Sequence, residues 1–343
     1  YAEPDYLYEY CETVPNDEYY YDQWGLHRIN ASKAWDTFTG NPDIVVGVID
    51  SGTDYTHPDL ADNIWVNTGE IPDNGIDDDQ DGYIDDVIGW NFFKNTNDPM
   101  DNEYHGTHVS GIIAARGNNE IGISGIAWNT KIAPLNAGAG NNEISSASVI
   151  KALAYATFHG FDIINASFGG SVYAGGTKTA IDRYPGLFVA GAGNQGTDND
   201  IHPFYPASYD CSNIISVANM NVHSTLNYDA SYGAVSVDIA APGTDIVSTF
   251  PGNDYSPLSG ASMATPFVSG AAALLKGYNT SLSTAELKEK ILSSVQSFDD
   301  ADKVSSGGCL DLANLLTPSN GTANDGILDA GKDEWWTTSI EWN

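Results

Sequence analysis

The chain has 343 residues, enough for one large domain or two average ones, and is 41% hydrophobic, so it can bury a sizeable core. Its 46 acidic residues against 13 basic ones give a formal charge of −33. Such a surface repels nucleic-acid phosphates and anionic lipid headgroups, and fits cation binding or solubility in a salty medium.

No run approaches the ~20 apolar residues of a membrane helix. The start, "YAEPDY", has no secretory leader and reads as a processed product. The three cysteines, Cys11, Cys211 and Cys309, match no zinc spacing; one disulfide plus a free thiol is compatible with them, with the pairing open.

In chain order, nearly continuous apolar runs at 43–50, 131–136, 162–168, 187–193, 214–220 and 237–241 read as strands buried on both faces. Helical stretches lie between them, as in "SASVIKALAYATFHG" (146–160). The expected fold class is therefore α/β, a mostly parallel central sheet flanked by crossover helices. Ser283 and Glu286 form a capping box that opens a late helix. No low-complexity linker divides residues 13–316, which read as one domain. Residues 317–343, polar and rich in Gly, Asn and Asp, read as an appended tail.

Three segments carry chemistry. Asp50 ends the strand in "VVGVIDSGTDYTHPDL", and sites are built where parallel strands end. In "EYHGTHVSGIIAA", His105 and His108 stand three apart at the start of a helix-like stretch; the zinc-protease HExxH pattern is absent. In "LSGASMATPFVSGAAALL", Ser262 precedes an apolar helix with Pro266 near its first turn. Taken singly, these residues read equally well as a turn cap, a satisfied core histidine and a helix N-cap.

Taken together, "DSGTDYTHPDL", "HGTHVSGIIAA", "AGAGNQG" and "GASMATPFVSGAAALL" resemble the subtilisin-like serine proteases (subtilases), in that family's order, over about residues 16–316. The resemblance implies a secreted serine endopeptidase with a subtilisin-like three-layer fold. Ser262 would be the nucleophile, His105 the base, Asp50 its orienting partner and Asn194 an oxyanion donor. His108 is left to structure. "NASFGG" resembles the family's substrate-binding strand, so Ser167, Phe168 and Gly169 would line a cleft for extended protein or peptide substrates. Phe204 would lie near the base of the primary specificity pocket, where a phenylalanine either shortens the pocket or points away from it. Two departures from the family pattern stand out: Ala261 before the nucleophile, a small change expected to leave activity intact, and "LNAGAGNNEISSAS" (135–148), which bears on subsites and not on the reaction.

The resemblance also implies calcium, two ions or more. Side chains of Asp17, Asp59 and Asn119, with carbonyls of Arg116, Ile121 and Ile123, match one site of oxygen ligands. Residues 74–92 form an acidic insertion. Within it Asp77, Asp79, Asp81, the Tyr83 carbonyl and Asp85 repeat the first nine positions of an EF-hand loop, with Gly82 at the turn. Position twelve is Ile88 in place of the bidentate glutamate, and Asp86 is a substitute ligand.

Residues 1–12 resemble the end of an inhibitory prodomain, the chain's own inhibitor, or are an ordinary mobile terminus. Acidity, calcium and the prodomain trace together suggest an extracellular protein, and a monomer is expected. Of the sequons at Asn30, Asn165, Asn279 and Asn320, Asn165 is expected to be buried beside the cleft. The alternative class is a catalytically silent scaffold used for calcium-dependent adhesion or protein binding.

Overall fold

A strand covered by helices on both faces must be apolar at every position, and the continuous runs form such strands. A computed structural model describes residues 12–317. Cys11, the Asn320 sequon, the tail from residue 318 and all but Glu12 of the proposed prodomain remnant lie outside the described residues. The strands are β1 (Val45–Asp50), β2 (Trp90–Asn91), β3 (Lys131–Asn136), β4 (Gly138–Gly140), β5 (Glu143–Ile144), β6 (Ile163–Ala166), β7 (Leu187–Gly191), β8 (Ile214–Met220), β9 (Ile239–Pro242), β10 (Ile246–Phe250) and β11 (Asp254–Leu258). The α-helices are α1 (Trp24–Arg28), α2 (Ala31–Trp35), α3 (His105–Ala114), α4 (Ser146–Phe158), α5 (Gly175–Arg183), α6 (Ala261–Tyr278), α7 (Thr284–Ser293) and α8 (Leu312–Leu316).

Seven strands form one sheet in the order β2-β3-β1-β6-β7-β8-β9, and every pairing in it is parallel. Successive side chains point to opposite faces. Val46, Val48, Ile163, Val189 and Val217 share a core with Val109 and Ile113 of α3 and Val268 and Leu274 of α6. Ile49, Leu135, Ile164 and Phe188 instead share a core with Leu153 and Tyr155 of α4 and Ile181 of α5. The result is three layers, with the sheet between two helical layers. The capping box at Ser283 and Glu286 opens α7 as expected.

The structure corrects several boundaries. The runs at 162–168 and 187–193 leave the sheet early, after Ala166 and Gly191, because their last residues turn out to form the cleft. The run at 237–241 pairs only from Ile239. The antiparallel hairpin of β10 and β11 has no counterpart in the sequence reading. It packs on α3, where Ser248 Oγ donates to the His108 carbonyl (2.7 Å) and Thr249 Oγ1 to the Thr107 carbonyl (2.8 Å).

Helix α6 begins before the serine. Gly260 (φ 147°) is its N-cap and Ser262 its second residue, with Pro266 a turn further in than expected. A proline at 266 cannot donate to the Ser262 carbonyl, four residues back. That carbonyl accepts the Ser167 hydroxyl instead (3.0 Å).

Among the cysteines, Cys211 and Cys309 are buried thiols not bonded to each other. Among the described residues, no helix is long and apolar enough to cross a membrane.

Candidate active site

Strand β1 delivers Asp50 at its carboxyl end, and α3 starts beside it with His105. The helix can start that close because residue 106 is glycine; a Cβ there would lie 2.0 Å from the Gly52 carbonyl oxygen. His105 Nδ1 and Asp50 Oδ1 are 2.8 Å apart. Since the carboxylate only accepts, Nδ1 carries the proton and Nε2 is left as the basic nitrogen. Asp50 is buried, while the His105 side chain keeps 26% of its surface exposed to the cleft. Burial pulls the His105 pKa down, but the carboxylates of Asp50, then Asp101 and Glu103, outweigh it and leave the imidazole above its ordinary 6.5.

Asp101 escaped the sequence reading. Its carboxylate accepts the Thr107 N–H (2.9 Å) and hydroxyl (2.6 Å), the Glu103 N–H (2.9 Å) and the Ser51 hydroxyl (3.0 Å). Ser51 Oγ in turn accepts the Gly106 N–H (3.0 Å). This network ties the first turn of α3 to the end of β1 and so fixes His105 against Asp50. An aspartate four residues before a helix-opening histidine is a weak sequence signal, indistinguishable from the other acidic loop residues.

Helix α6, packed on the same face of the sheet as α3, brings Ser262 to the same place. Its hydroxyl donates to the Ser167 carbonyl (3.0 Å) in this conformation rather than to His105. Asn165 reinforces the junction: it is fully buried, donates to Ser167 Oγ (2.9 Å) and accepts the Ser269 hydroxyl (2.8 Å). Its burial agrees with the expectation for that sequon.

Asn194 lies in the loop after β7, and its Oδ1 accepts the Ala261 N–H (2.7 Å). A backbone donor must meet the amide oxygen, so Nδ2 is left facing the cleft. His108, left to structure by the sequence, is buried, with Nε2 at 3.0 Å from the carbonyls of Ile246 and Ser256. Burial takes its pKa down to about 4, so it stays neutral.

Asp50, His105, Asn194 and Ser262 all line one cleft of about 800 Å³, together with Ser167, Phe168, Gly169 and Phe204. The structure therefore gathers every catalytic and substrate-side residue named from the sequence. A strand exit bearing backbone groups, a hydroxyl, an imidazole oriented by a carboxylate and an amide donor can together perform acyl transfer.

The metal candidates fall in two places. Asp17 accepts the N–H groups of Asn118 (2.8 Å) and Asn119 (3.2 Å). Asp59 Oδ1 accepts the Asn119 amide (2.8 Å), and its Oδ2 accepts the Ile123 N–H (2.9 Å). The Arg116 N–H donates to the Asp59 carbonyl (2.9 Å), and the Ile121 N–H to Asn119 Oδ1 (3.0 Å). These bonds tie the six predicted positions together in one knot, with Arg116, Ile121 and Ile123 joined through their N–H groups rather than through the carbonyls expected as ligands. Burial, with Asp17 nearby, pushes the Asp59 carboxyl up to about 6.

In the acidic insertion, potential ligand atoms of Asp79, Asp81 and His159 converge, as do those of Glu70, Asp79 and Asp86. Asp77 and Asp85 are placed differently from the EF-hand expectation. Asp77 accepts the N–H groups of Asp81 (3.1 Å) and Gly82 (3.0 Å); Asp85 accepts those of Asn74 (3.0 Å) and Gly75 (3.1 Å). The Tyr83 ring packs on Trp90, Phe92 and Tyr155, anchoring the insertion to the sheet edge and α4.

Glu70 and His159 escape a motif-based reading because they lie outside the motif. Glu70 accepts the N–H groups of Asp78 (2.7 Å), Asp79 (3.1 Å) and Asp85 (2.9 Å), and His159 Nε2 meets Asp81 Oδ2 at 2.9 Å. Asp86 is fully buried and bonded by Tyr155 and Asn67, yet its Oδ1 has no partner. Burial takes its carboxyl up to about 6. An orphaned buried oxygen among carboxylates fits a hard cation; the His159 nitrogen is the one donor that does not belong to an oxygen cage.

Residues 41–321 match the model of the subtilase family, peptidase S8. A thermophilic serine proteinase of Bacillus sp. (strain AK1) is 39% identical over 80% of this chain and 62% of its own length. Subtilisin-like protease 1 of Plasmodium vivax is 36% identical over 87% of this chain and 51% of its own. The chain thus spans between half and two-thirds of the length of these curated relatives. Among solved structures, a protease from Pseudoalteromonas arctica PAMC 21717 superposes with a TM-score of 0.70 at 27% identity, over 89% of this chain and 99% of that one.

Proposed function

The chain belongs to the subtilase family, and we propose that it is a secreted, calcium-stabilised serine endopeptidase acting on protein or peptide substrates. The observation that carries the activity is the His105–Asp50 pair at 2.8 Å, set in one cleft with Ser262 and a free Asn194 amide.

The reaction follows from these groups. Rotation of the Ser262 hydroxyl away from the Ser167 carbonyl brings it to His105 Nε2 when substrate arrives; such bonds tighten in the substrate complex. Ser262 Oγ then bonds to the scissile carbonyl carbon as its proton passes to Nε2. The Asp50 carboxylate stabilises the resulting imidazolium and holds the ring. The developing oxyanion accepts the Ser262 N–H, unused at the start of α6, and Asn194 Nδ2, with the helix N-terminus adding a favourable field. Collapse breaks the C–N bond, and the imidazolium gives its proton to the leaving amine. Water, deprotonated by the same nitrogen, releases the acyl group from Ser262.

Calcium would be held by Asp17, Asp59 and Asn119 at one place and by Asp79, Asp81 and Asp86 with Glu70 at the other. It would contribute only charge neutralisation and loop fixation. Secretion as a monomer and inhibition by the chain's own prodomain complete the reading; the acidic balance and the calcium ligands support it. The test is hydrolysis of a peptide library by the wild type and by Ser262→Ala. Cleavage confined to the wild type is expected, with both proteins giving the same circular dichroism. Cleavage surviving in folded Ser262→Ala overturns the mechanism.

A further inference from the structure

Phe204 lines the same cleft as the nucleophile. The Ser167 carbonyl lies against the Ser262 hydroxyl, and Asn194 is pinned to Ala261, so two chain segments flank the reacting centre: 167–170 and 191–194. A scissile carbonyl bonded to Ser262 Oγ, with its oxygen toward Asn194 Nδ2, places the acyl residue's side chain between those segments. Both segments present glycine there. Their missing side chains leave space there, and the Phe204 ring lies against both. A Cβ built on Gly169 would lie 2.3 Å from Phe204 Cε1, and one on Gly193 would lie 3.2 Å from Phe204 Cδ1. The ring is therefore in contact with both walls.

The backbone holds it there. Gly170 and Tyr205 exchange two hydrogen bonds (2.8 and 2.7 Å), which seal residue 205 to the cleft strand. Phe204 N–H donates to Ser208 Oγ (3.0 Å), and Ser208 N–H returns a bond to the Phe204 carbonyl (2.8 Å). Tyr205 also stacks on Tyr209 with ring centroids 4.7 Å apart. The segment carrying the ring is thus fixed from both sides.

We propose that Phe204 fills the pocket for the residue preceding the cleaved bond and restricts the substrates to those with a small side chain there: glycine, alanine or serine. This rests on the serine endopeptidase reading and adds its substrate class. Of the two outcomes the sequence left open, shortening the pocket and pointing away, the glycine contacts favour the first.

The test compares two peptides differing only at that residue, alanine against phenylalanine, with a fluorophosphonate lacking any side chain as a separate reporter of Ser262. The wild type is expected to show kcat/KM at least about tenfold higher for alanine, the scale of discrimination that pocket volume provides. Phe204→Gly and Phe204→Ala should raise kcat/KM for the phenylalanine peptide by about tenfold or more, and so erase or invert the ratio. Their fluorophosphonate labelling rate reports that the variants remain folded. Equal cleavage of both peptides by the wild type, or a ratio unchanged in both variants, overturns the proposal while the protease reading stands. Failure of the fluorophosphonate to label the wild type removes the protease reading and the proposal with it.

Discussion

The catalytic cleft and the acidic insertion both bury carboxylates, and they satisfy them differently. In the cleft, Asp50 meets the His105 imidazole, and Asp101 accepts four hydrogen bonds from Thr107 of α3 and from Ser51 and Glu103, which adjoin β1 and α3. At the insertion, Asp79, Asp81 and Asp86 crowd together with the preceding Glu70 on backbone N–H groups, one amide, one phenol and His159, and no lysine or arginine pairs with them among the described residues. The same functional group thus serves two ends. In the cleft the carboxylates orient and tune one imidazole; in the insertion a single histidine faces several carboxylates, and their remaining charge is left for a cation.

The difference can be tested from its largest effect downward. Ser262→Ala should lower kcat by about a million-fold, as loss of the nucleophile does in subtilisin. The same change should leave thermal stability almost untouched, since the hydroxyl makes a single hydrogen bond to Ser167. Asn194→Ala should cost about 10²–10³ in kcat with little change in KM, again the figure for this donor type in subtilisin. An Asn194→Ala enzyme with unaltered kcat would remove the amide from the oxyanion site.

Stability should respond in the other region. Calcium at about a hundred times its dissociation constant should add about 2.7 kcal/mol relative to metal-stripped protein, read as a higher Tm. Asp79→Asn should remove much of that gain while leaving kcat within a few-fold. Identical melting with and without calcium would contradict the metal reading of both knots.

In metal-free buffer the pH dependence has a definite sign. Burial raises Asp59 and Asp86 from 3.8 to about 6, so the folded state holds protons that the unfolded chain has released. Their contribution therefore falls as pH rises from about 4 to about 6, and levels off above that. Calcium, which binds the charged forms, should flatten or invert the slope. A metal-free Tm rising through this window in the wild type, unchanged in Asp59→Asn and Asp86→Asn, would refute the assignment.

The smallest effect belongs to the cleft. His105 must be neutral to act, so the acid limb of kcat/KM should lie above pH 6.5. Glu103→Gln removes one of the charges that raise it and should move the limb slightly down. A limb unchanged in Glu103→Gln would show that this half-buried charge is screened.

The parts legible in sequence were those written in consecutive residues. The six main strands, the capping box of α7 and the four catalytic motifs each announce themselves within a short stretch of chain. What escaped was assembled across the fold. Glu70 precedes the acidic motif, and His159 caps α4 far beyond it in sequence, so neither spacing could point to the other. Asp101 acts through Ser51, which the sheet brings alongside. The hairpin Ile246–Leu258 has polar and proline-bearing strands, with Ser248, Ser256 and Pro257 where apolar residues signal a strand, and its bonds go to α3. Residue preference alone puts Ser262 at the cap of α6, since serine favours that position. The Asn194 oxygen instead takes the Ala261 N–H and lets the helix start earlier.

The central claim is that Ser262 is a nucleophile activated by His105, and covalent labelling tests it most directly. The folded protein is treated with a fluorophosphonate and the adduct located by peptide mass spectrometry. The account predicts stoichiometric phosphonylation of Ser262 that is lost in Ser262→Ala and slowed by orders of magnitude in His105→Ala. An unmodified Ser262 in folded, calcium-supplied protein, or an equal labelling rate in His105→Ala, would contradict it.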